Sequence, residues 1–258
     1  MPITIEARHR DPTVKKDLLD MVQRVIGEFQ SLPTSCLLIF LDDSDAEYFR
    51  KKWGPCNRGF FTPLNGEELV IQGIHMDNWP EYITRHFLAR DPDTNKYVRD
   101  SETGRILLAY EQAIYLYGTT CADSVGRVMT LAHEFQHSVQ YVFHQELRKK
   151  NHGFYRQLPD YEIPIEKEAR IIAKRVAEKL CGKEQVDQYI ARKINEANCH
   201  INSDANFKNI LENDEIKQWK NEAEDWRFIQ TLGSNISYNL TAETEQVARR
   251  LAENISLL

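Results

Sequence analysis

The sequence has no long apolar run. No stretch of its 258 residues approaches the roughly 18 consecutive apolar residues that a membrane-spanning helix needs. The first residues also lack the apolar segment of a standard secretion signal. We therefore expect a cytoplasmic protein that does not associate with membranes.

A basic excess is also absent. The formal net charge is −6 and the isoelectric point is about 5.8. Nucleic-acid binders usually carry clustered positive charge, and the one tight basic run here is residues 148–150. Those cations also suit the C-terminus of a helix. A nucleic-acid partner is therefore not expected.

Paired cysteines are missing as well. The chain has five cysteines, an odd number, and no two of them form a CxxC pair. We expect neither a disulfide framework nor a zinc site built from cysteines. Free thiols fit the expected intracellular location. The five are Cys36, Cys56, Cys121, Cys181 and Cys199.

The chain changes character near residue 124. Before it, short apolar segments at 3–7 and 37–41 indicate strands, and residues 14–29 have apolar side chains at helical spacing. Two hairpins are predicted, one turning at 65–66 and one at 100–104. After it, the pattern is strongly helical. A polar break near residues 200–205 marks the predicted boundary between two domains, 1–200 and 201–258.

One motif carries chemistry. Residues 133–137 read His-Glu-Phe-Gln-His, an HExxH motif on a predicted amphipathic helix. Residues i and i+4 lie on one face of a helix, so His133 and His137 can bind one ion at about 2.0–2.1 Å each. Glu134 lies close enough to reach a metal-bound water without being a ligand. The competing interpretation is two ordinary histidines on a packed helix.

A third protein ligand must come from another element. Phe143 stands where metzincins have their third histidine, which excludes that class. His144 lies about 10 Å beyond His137 along the same helix, at 1.5 Å per residue. A second predicted helix begins at Pro164 and carries two candidates, Glu166 and Glu168. Glu166 lies nearer the buried face, but an acidic residue in a first helical turn also has a purely structural explanation.

HExxH followed some thirty residues later by P-x-E-x-E-A resembles the gluzincin-type zinc metallopeptidases, and is most similar to the compact intracellular zincins of the ImmA/IrrE kind. The resemblance covers roughly residues 124–182. It implies a zinc ion on His133, His137 and Glu166, with Glu134 as general base. Arg170 is a departure, since that position is commonly Asn or Asp in those families.

The resemblance also implies a fold. We expect an α+β, zincin-like chain, with a small N-terminal mixed sheet over the HExxH helix and a mostly helical C-terminal half. Residues 1–200 would form the metallopeptidase domain and 201–258 a helical extension. Residues 112–117 are a candidate for the edge strand that pairs with substrate, and an interior strand or a helix turn explains the same residues at least as well. Candidates for stabilising an oxyanion are Tyr141, His152, Tyr155, Tyr161, Tyr189 and His200.

The function expected is zinc-dependent hydrolysis of peptide bonds in a protein or peptide substrate. Glu134 would move the protons. The alternative is a non-catalytic, zincin-like metal-binding protein with a regulatory or interaction role. The intact Glu134 argues against that alternative, because a structural metal site needs no carboxylate beside its water.

Overall fold

The structure is a computed structural model. It describes residues 4–7, 12–29, 37–40, 47, 58–63, 89–102, 104, 107, 110, 112–116, 123–146, 158–204, 212–233 and 237–256. The predicted hairpin turn at 65–66 lies outside these residues. Within them, no helix combines the length and the apolar character needed to cross a bilayer.

The described strands all lie before residue 117, and most of the long helices follow it. The strands are β1 (Thr4–Ala7), β2 (Leu37–Phe40), β3 (Gly59–Pro63) and β4 (Gln112–Leu116). The α helices are α1 (Pro12–Ile26), α2 (Ser124–Phe143), α3 (Pro164–Cys181), α4 (Lys183–Asp204), α5 (Glu212–Thr231) and α6 (Leu240–Ser256). A 3₁₀ turn, Asp160–Glu162, precedes α3.

The ends of α2 and α3 follow from local sequence. Asp123 is the N-cap of α2, and its carboxylate accepts a hydrogen bond of 2.9 Å from the backbone N–H of Gly126. Pro164 occupies the first turn of α3, where its missing N–H costs nothing. Gly182 ends α3 with a φ of +92°, a conformation that glycine adopts without strain.

The strands form one four-stranded sheet in the order β1-β2-β4-β3. β1, β2 and β4 run parallel, with α1 between β1 and β2, and β3 pairs antiparallel to β4. All five residues of β4 are buried. The prediction that residues 112–117 supply a substrate-pairing edge is wrong, because β4 is hydrogen-bonded on both sides. Among the described residues, β3 lies at that edge.

The expected fold class, α+β with a small N-terminal mixed sheet over the HExxH helix, is wrong in the weight that it gives to the sheet, because the described residues are mostly helical. The strands hold four or five residues each, whereas the α helices run for 15 to 22. The sheet is therefore a minor layer of the fold, and α1 connects two of its parallel strands, β1 and β2. Near the predicted 100–104 turn, Leu107 donates a backbone hydrogen bond of 2.9 Å to Val98, and Tyr97 forms an isolated bridge with Arg90. The residues described there do not lie in a strand.

Helix α2 lies at the centre of the packing. Its apolar face contributes Leu131, Ala132 and Phe135, none of which is exposed, to a core shared with α1, β4 and α3. Burying a leucine or phenylalanine side chain stabilises the fold by about 1.5–3 kcal/mol. On the other side, α3 brings the small buried residues Ala169 and Ala173 toward α2. The two helices that carry the predicted ligands are thus packed directly together.

The C-terminal helices pack onto this unit. Trp226 of α5 contacts Tyr189 of α4 edge to face, with ring centroids 5.5 Å apart. The buried ammonium of Lys174 in α3 donates to the carbonyls of Ile229 and Leu232 at the end of α5, at 3.1 and 2.5 Å. A cation at that end also complements the helix dipole. The division of the chain at residue 200 stays a prediction.

Candidate metal centre

Three side chains from α2 and α3 converge on one point. His133 Nε2 and His137 Nε2 are 3.0 Å apart. Glu166 places one carboxylate oxygen 3.2 Å from His133 Nε2 and the other 3.3 Å from His137 Nε2. All three ligand atoms lie within 4.8 Å of one another, close enough to hold one metal ion.

Local structure explains this convergence. His133 and His137 are one turn apart on α2, and their rings meet edge to face with centroids 4.6 Å apart. Glu166 lies in the first turn of α3, where the helix dipole favours a carboxylate. The side chains of the three residues are 19%, 12% and 25% exposed, so the cluster stays accessible to a small ligand.

The donor chemistry fits a divalent transition metal. Gln140 Oε1 can only accept, so the 2.9 Å bond to His137 requires Nδ1 to donate. In the neutral ring this leaves the lone pair of Nε2 directed at the cluster. When both rings are neutral and unprotonated at Nε2, two imidazole nitrogens and a carboxylate face one point, which is an arrangement that a cation stabilises.

Electrostatics show how the cluster is balanced without an ion. Burial lowers the pKa of His133 to about 4. Burial also opposes protonation of His137, but the neighbouring Glu166 carboxylate outweighs it and raises the pKa of His137 to about 9. The pKa of Glu166 stays well below its usual value, because the two histidines outweigh its burial. Metal binding must therefore displace a proton from this cluster.

Glu168, the other candidate ligand, lies outside the cluster. Its Oε2 accepts hydrogen bonds from Gln136 Nε2 at 3.0 Å and from Gln140 Nε2 at 2.8 Å. Glu168 is therefore connected to His137 indirectly, through the side chain of Gln140. Of the two glutamates that the sequence left open, the packing of α3 on α2 brings Glu166 to the two histidines.

Gln140 is a site residue that the sequence analysis missed. Its side chain is fully buried and makes three hydrogen bonds, to His137, to Glu168 and to the backbone carbonyl of Ile165 at 2.9 Å. The available signal was a glutamine three residues after His137 on the buried side of an otherwise apolar stripe. A buried amide needs several partners, so its presence there indicates a polar network.

Arg170 and Asp225 extend the network to α5. The buried guanidinium of Arg170 donates to Glu166 Oε2 at 3.2 Å and to Asp225 Oδ2 at 2.5 Å. The sequence analysis noted Arg170 only as a departure from a family pattern. Asp225 gave no signal in the sequence, because nothing there places α5 against α3.

Glu134 lies beside the cluster without joining it. Its side chain is buried, and the backbone N–H of Phe61 in β3 donates a hydrogen bond to it. Burial raises the pKa of Glu134 to about 7. The sequence prediction that this carboxylate stands apart from the ligands agrees with this arrangement.

The oxyanion candidates divide into three groups. His152 and Tyr155 lie outside the described residues. Tyr189 packs in the core against Trp226, and His200 stacks on Trp219 with centroids 4.0 Å apart. The third group is Tyr141 and Tyr161. Tyr141 of α2 contacts the ring of Phe61, and the hydroxyl of Tyr161, in the 3₁₀ turn before α3, donates to Glu224. Which of them has the predicted role stays open.

Comparison with known proteins gives no relative. No family model, no curated protein and no solved structure matches the chain. The resemblance to gluzincins is therefore carried by the HExxH spacing and by the cluster of His133, His137 and Glu166.

Proposed function

We propose that the chain is a zinc-dependent metallopeptidase. The observation that supports this most is the convergence of His133, His137 and Glu166 with the buried Glu134 one residue away on the same helix. A site that only bound a metal for stability would have no use for a buried carboxylate at that position. The cost of burying Glu134 points to a chemical role.

Zinc suits this donor set best. Two imidazoles and one carboxylate are the protein ligands of a catalytic zinc site, which keeps a fourth position open. When bound, a zinc ion would supply Lewis acidity, which polarises a carbonyl oxygen and lowers the pKa of water. The partial exposure of the three ligand side chains leaves a path for substrate to that position.

The chain's own residues supply the proton chemistry. Glu134 has a carboxylate that accepts a proton from water and returns it to the departing amine. The N–H of Phe61 fixes the orientation of that carboxylate. Gln140 holds His137 in the tautomer that ligates through Nε2. Each of these roles depends on a contact that the packing of α2 provides.

A peptide or protein substrate is the class we propose. β3 carries Phe61 and lies at the edge of the sheet among the described residues, next to Glu134. An extended peptide can pair with such an edge through main-chain hydrogen bonds. Binding of this kind would give affinity with little side-chain specificity.

The test compares the wild type with Glu134→Gln on a library of quenched fluorescent peptides, with zinc content measured for both. The proposal expects peptide cleavage by the zinc-loaded wild type, and in the variant full zinc content with cleavage reduced at least about 100-fold. Undiminished cleavage by Glu134→Gln would refute the role of Glu134. Zinc binding without cleavage of any peptide by the wild type would favour the alternative, a non-catalytic metal-binding regulatory protein.

A further inference from the structure

The third ligand of the cluster is connected to a C-terminal helix through one buried side chain. Arg170 spans the gap between Glu166 of α3 and Asp225 of α5, with contacts of 3.2 and 2.5 Å. Only 9% of the Arg170 side chain and 16% of the Asp225 side chain are exposed. The contact between residues 55 positions apart is therefore largely shielded from solvent and salt.

The charges around Glu166 need Asp225. Arg170 binds the same carboxylate that a metal ion would bind, so its positive charge opposes a dication there. An anionic Asp225 on the opposite side of the guanidinium offsets that charge. It also holds the guanidinium by a second, charge-assisted hydrogen bond, which fixes the carboxylate that Arg170 orients.

Helix α5 is itself held in place next to this contact. Glu222, one turn before Asp225, accepts hydrogen bonds from Arg58 and from the indole of Trp226. Arg58 directly precedes β3, so the same turn of α5 is fixed to the edge strand as well as to α3. Asp225 is thus presented to Arg170 by a rigid element.

Stability alone does not account for Asp225. Its Oδ1 is buried and has no hydrogen-bond partner among the described residues. A buried carboxylate with one oxygen unsatisfied is costly, and replacing a buried ion pair by neutral groups is often neutral or stabilising. A functional requirement at this position explains its presence better.

We propose that Asp225 is a positioning residue for the metal site, acting through Arg170 on the ligand Glu166. The inference builds on the proposed metal site and assigns a role to the C-terminal region. It makes α5 part of the centre, although α5 contributes no ligand. Removing the Asp225 charge would leave Arg170 uncompensated and less constrained, and the affinity for zinc would fall.

The test is a double-mutant cycle on the full chain, with the zinc dissociation constant measured by competition with a chromophoric chelator. Asp225→Asn should weaken zinc binding about 10- to 100-fold, the range found for residues that support metal ligands. In an Arg170→Gln background the same change should alter affinity by less than about threefold, since the connecting residue is gone. The double variant removes both charges, which keeps it free of an orphaned buried ion.

A matched control is Glu243→Gln. Glu243 of α6 pairs with Lys167 of α3 at 2.6 Å, so it is also an ion pair between α3 and a C-terminal helix. Among the described contacts, Lys167 does not connect Glu243 to Glu166. The zinc affinity of Glu243→Gln should therefore stay at the wild-type value. Circular dichroism and urea unfolding of the metal-free variants confirm that each one folds.

The outcomes separate this inference from the proposed function. Wild-type zinc affinity in Asp225→Asn overturns the inference and leaves the metal site standing. An equal loss in the wild-type and Arg170→Gln backgrounds also overturns it, because Asp225 would then act without Arg170. If the wild type itself binds no zinc, the proposed function fails and the inference fails with it.

Discussion

Replacing Gln140 by leucine tests the network behind His137 in two ways. Leucine has a similar volume, so the change removes polar atoms without opening a large cavity. Three hydrogen bonds are lost, with His137 Nδ1 at 2.9 Å, with the carbonyl of Ile165 at 2.9 Å and with Glu168 Oε2 at 2.8 Å. The bond to the carbonyl of Ile165 contributes about 0.5–1.5 kcal/mol, whereas the bonds to the Glu168 carboxylate and to His137, which is protonated near pH 7 in the metal-free protein, contribute about 1.5–3 kcal/mol each. We expect the free energy of unfolding to fall by about 3.5–7.5 kcal/mol.

The second effect is on metal binding. Without Gln140 nothing described here holds the proton of His137 on Nδ1, so Nε2 is no longer fixed as the ligand atom. Zinc affinity should fall about 10- to 100-fold. Urea unfolding of the metal-free protein measures the first effect, and chelator competition on the folded protein measures the second.

Gln136→Leu is the matched control. Gln136 lies one turn before Gln140 on α2 and donates to the same oxygen of Glu168 at 3.0 Å. Its loss should cost about 1.5–3 kcal/mol of stability while zinc affinity stays within about threefold of wild type. If Gln140→Leu costs less than about 1 kcal/mol, or if both variants bind zinc as the wild type does, the reasoning about this network is refuted.

Three further predictions concern the framework. Lys174→Met removes the hydrogen bonds to the carbonyls of Ile229 and Leu232, and it removes the cation 3.8 Å from Glu178. Urea unfolding should therefore show a free energy of unfolding that is lower by about 3 kcal/mol. A decrease below about 1 kcal/mol would contradict this prediction. Gly59→Ala would place a Cβ 2.6 Å from the backbone oxygen of Tyr115, so thermal unfolding should show a loss of about 1–3 kcal/mol, whereas an unchanged melting temperature would mean that β3 shifts freely. Burial raises the pKa of Asp225 to about 6 from 3.8, so the folded state holds this proton more tightly than the unfolded state. Its contribution to stability is present at pH 4 and is lost as the pH rises toward 7, by at most about 3 kcal/mol. Metal-free Asp225→Asn should therefore match the wild type near pH 4 and be at least as stable at pH 7; lower stability at pH 7 would contradict this.

Local signals in the sequence were sufficient for the helices that carry the cluster. The apolar stripe of α2 and Pro164 at the start of α3 are short-range features, and the structure begins α3 at Pro164. The structure starts α2 at Ser124 and ends it at Phe143. Helical spacing also placed His133 and His137 on one face, where the structure has them.

The same local signals do not determine which distant segments of the chain contact one another. Residues 112–116 read as an edge strand or an interior one equally well, because strand order depends on contacts between distant segments. The overall fold class was wrong for the same reason. Strands of four or five residues give clear signals in the sequence, although they form only a small part of the fold. Gln140 and Asp225 were missed because their partners lie 25 to 55 positions away.

Zinc stoichiometry tests the central claim most directly. Wild type, Glu166→Ala and Glu168→Ala are equilibrated with a slight excess of zinc, freed of unbound metal and measured by atomic emission. The account predicts close to one zinc per chain for the wild type and for Glu168→Ala, and almost none for Glu166→Ala. A wild type without zinc, or a Glu166→Ala variant that keeps a full complement, would contradict the assignment of His133, His137 and Glu166 as the metal centre.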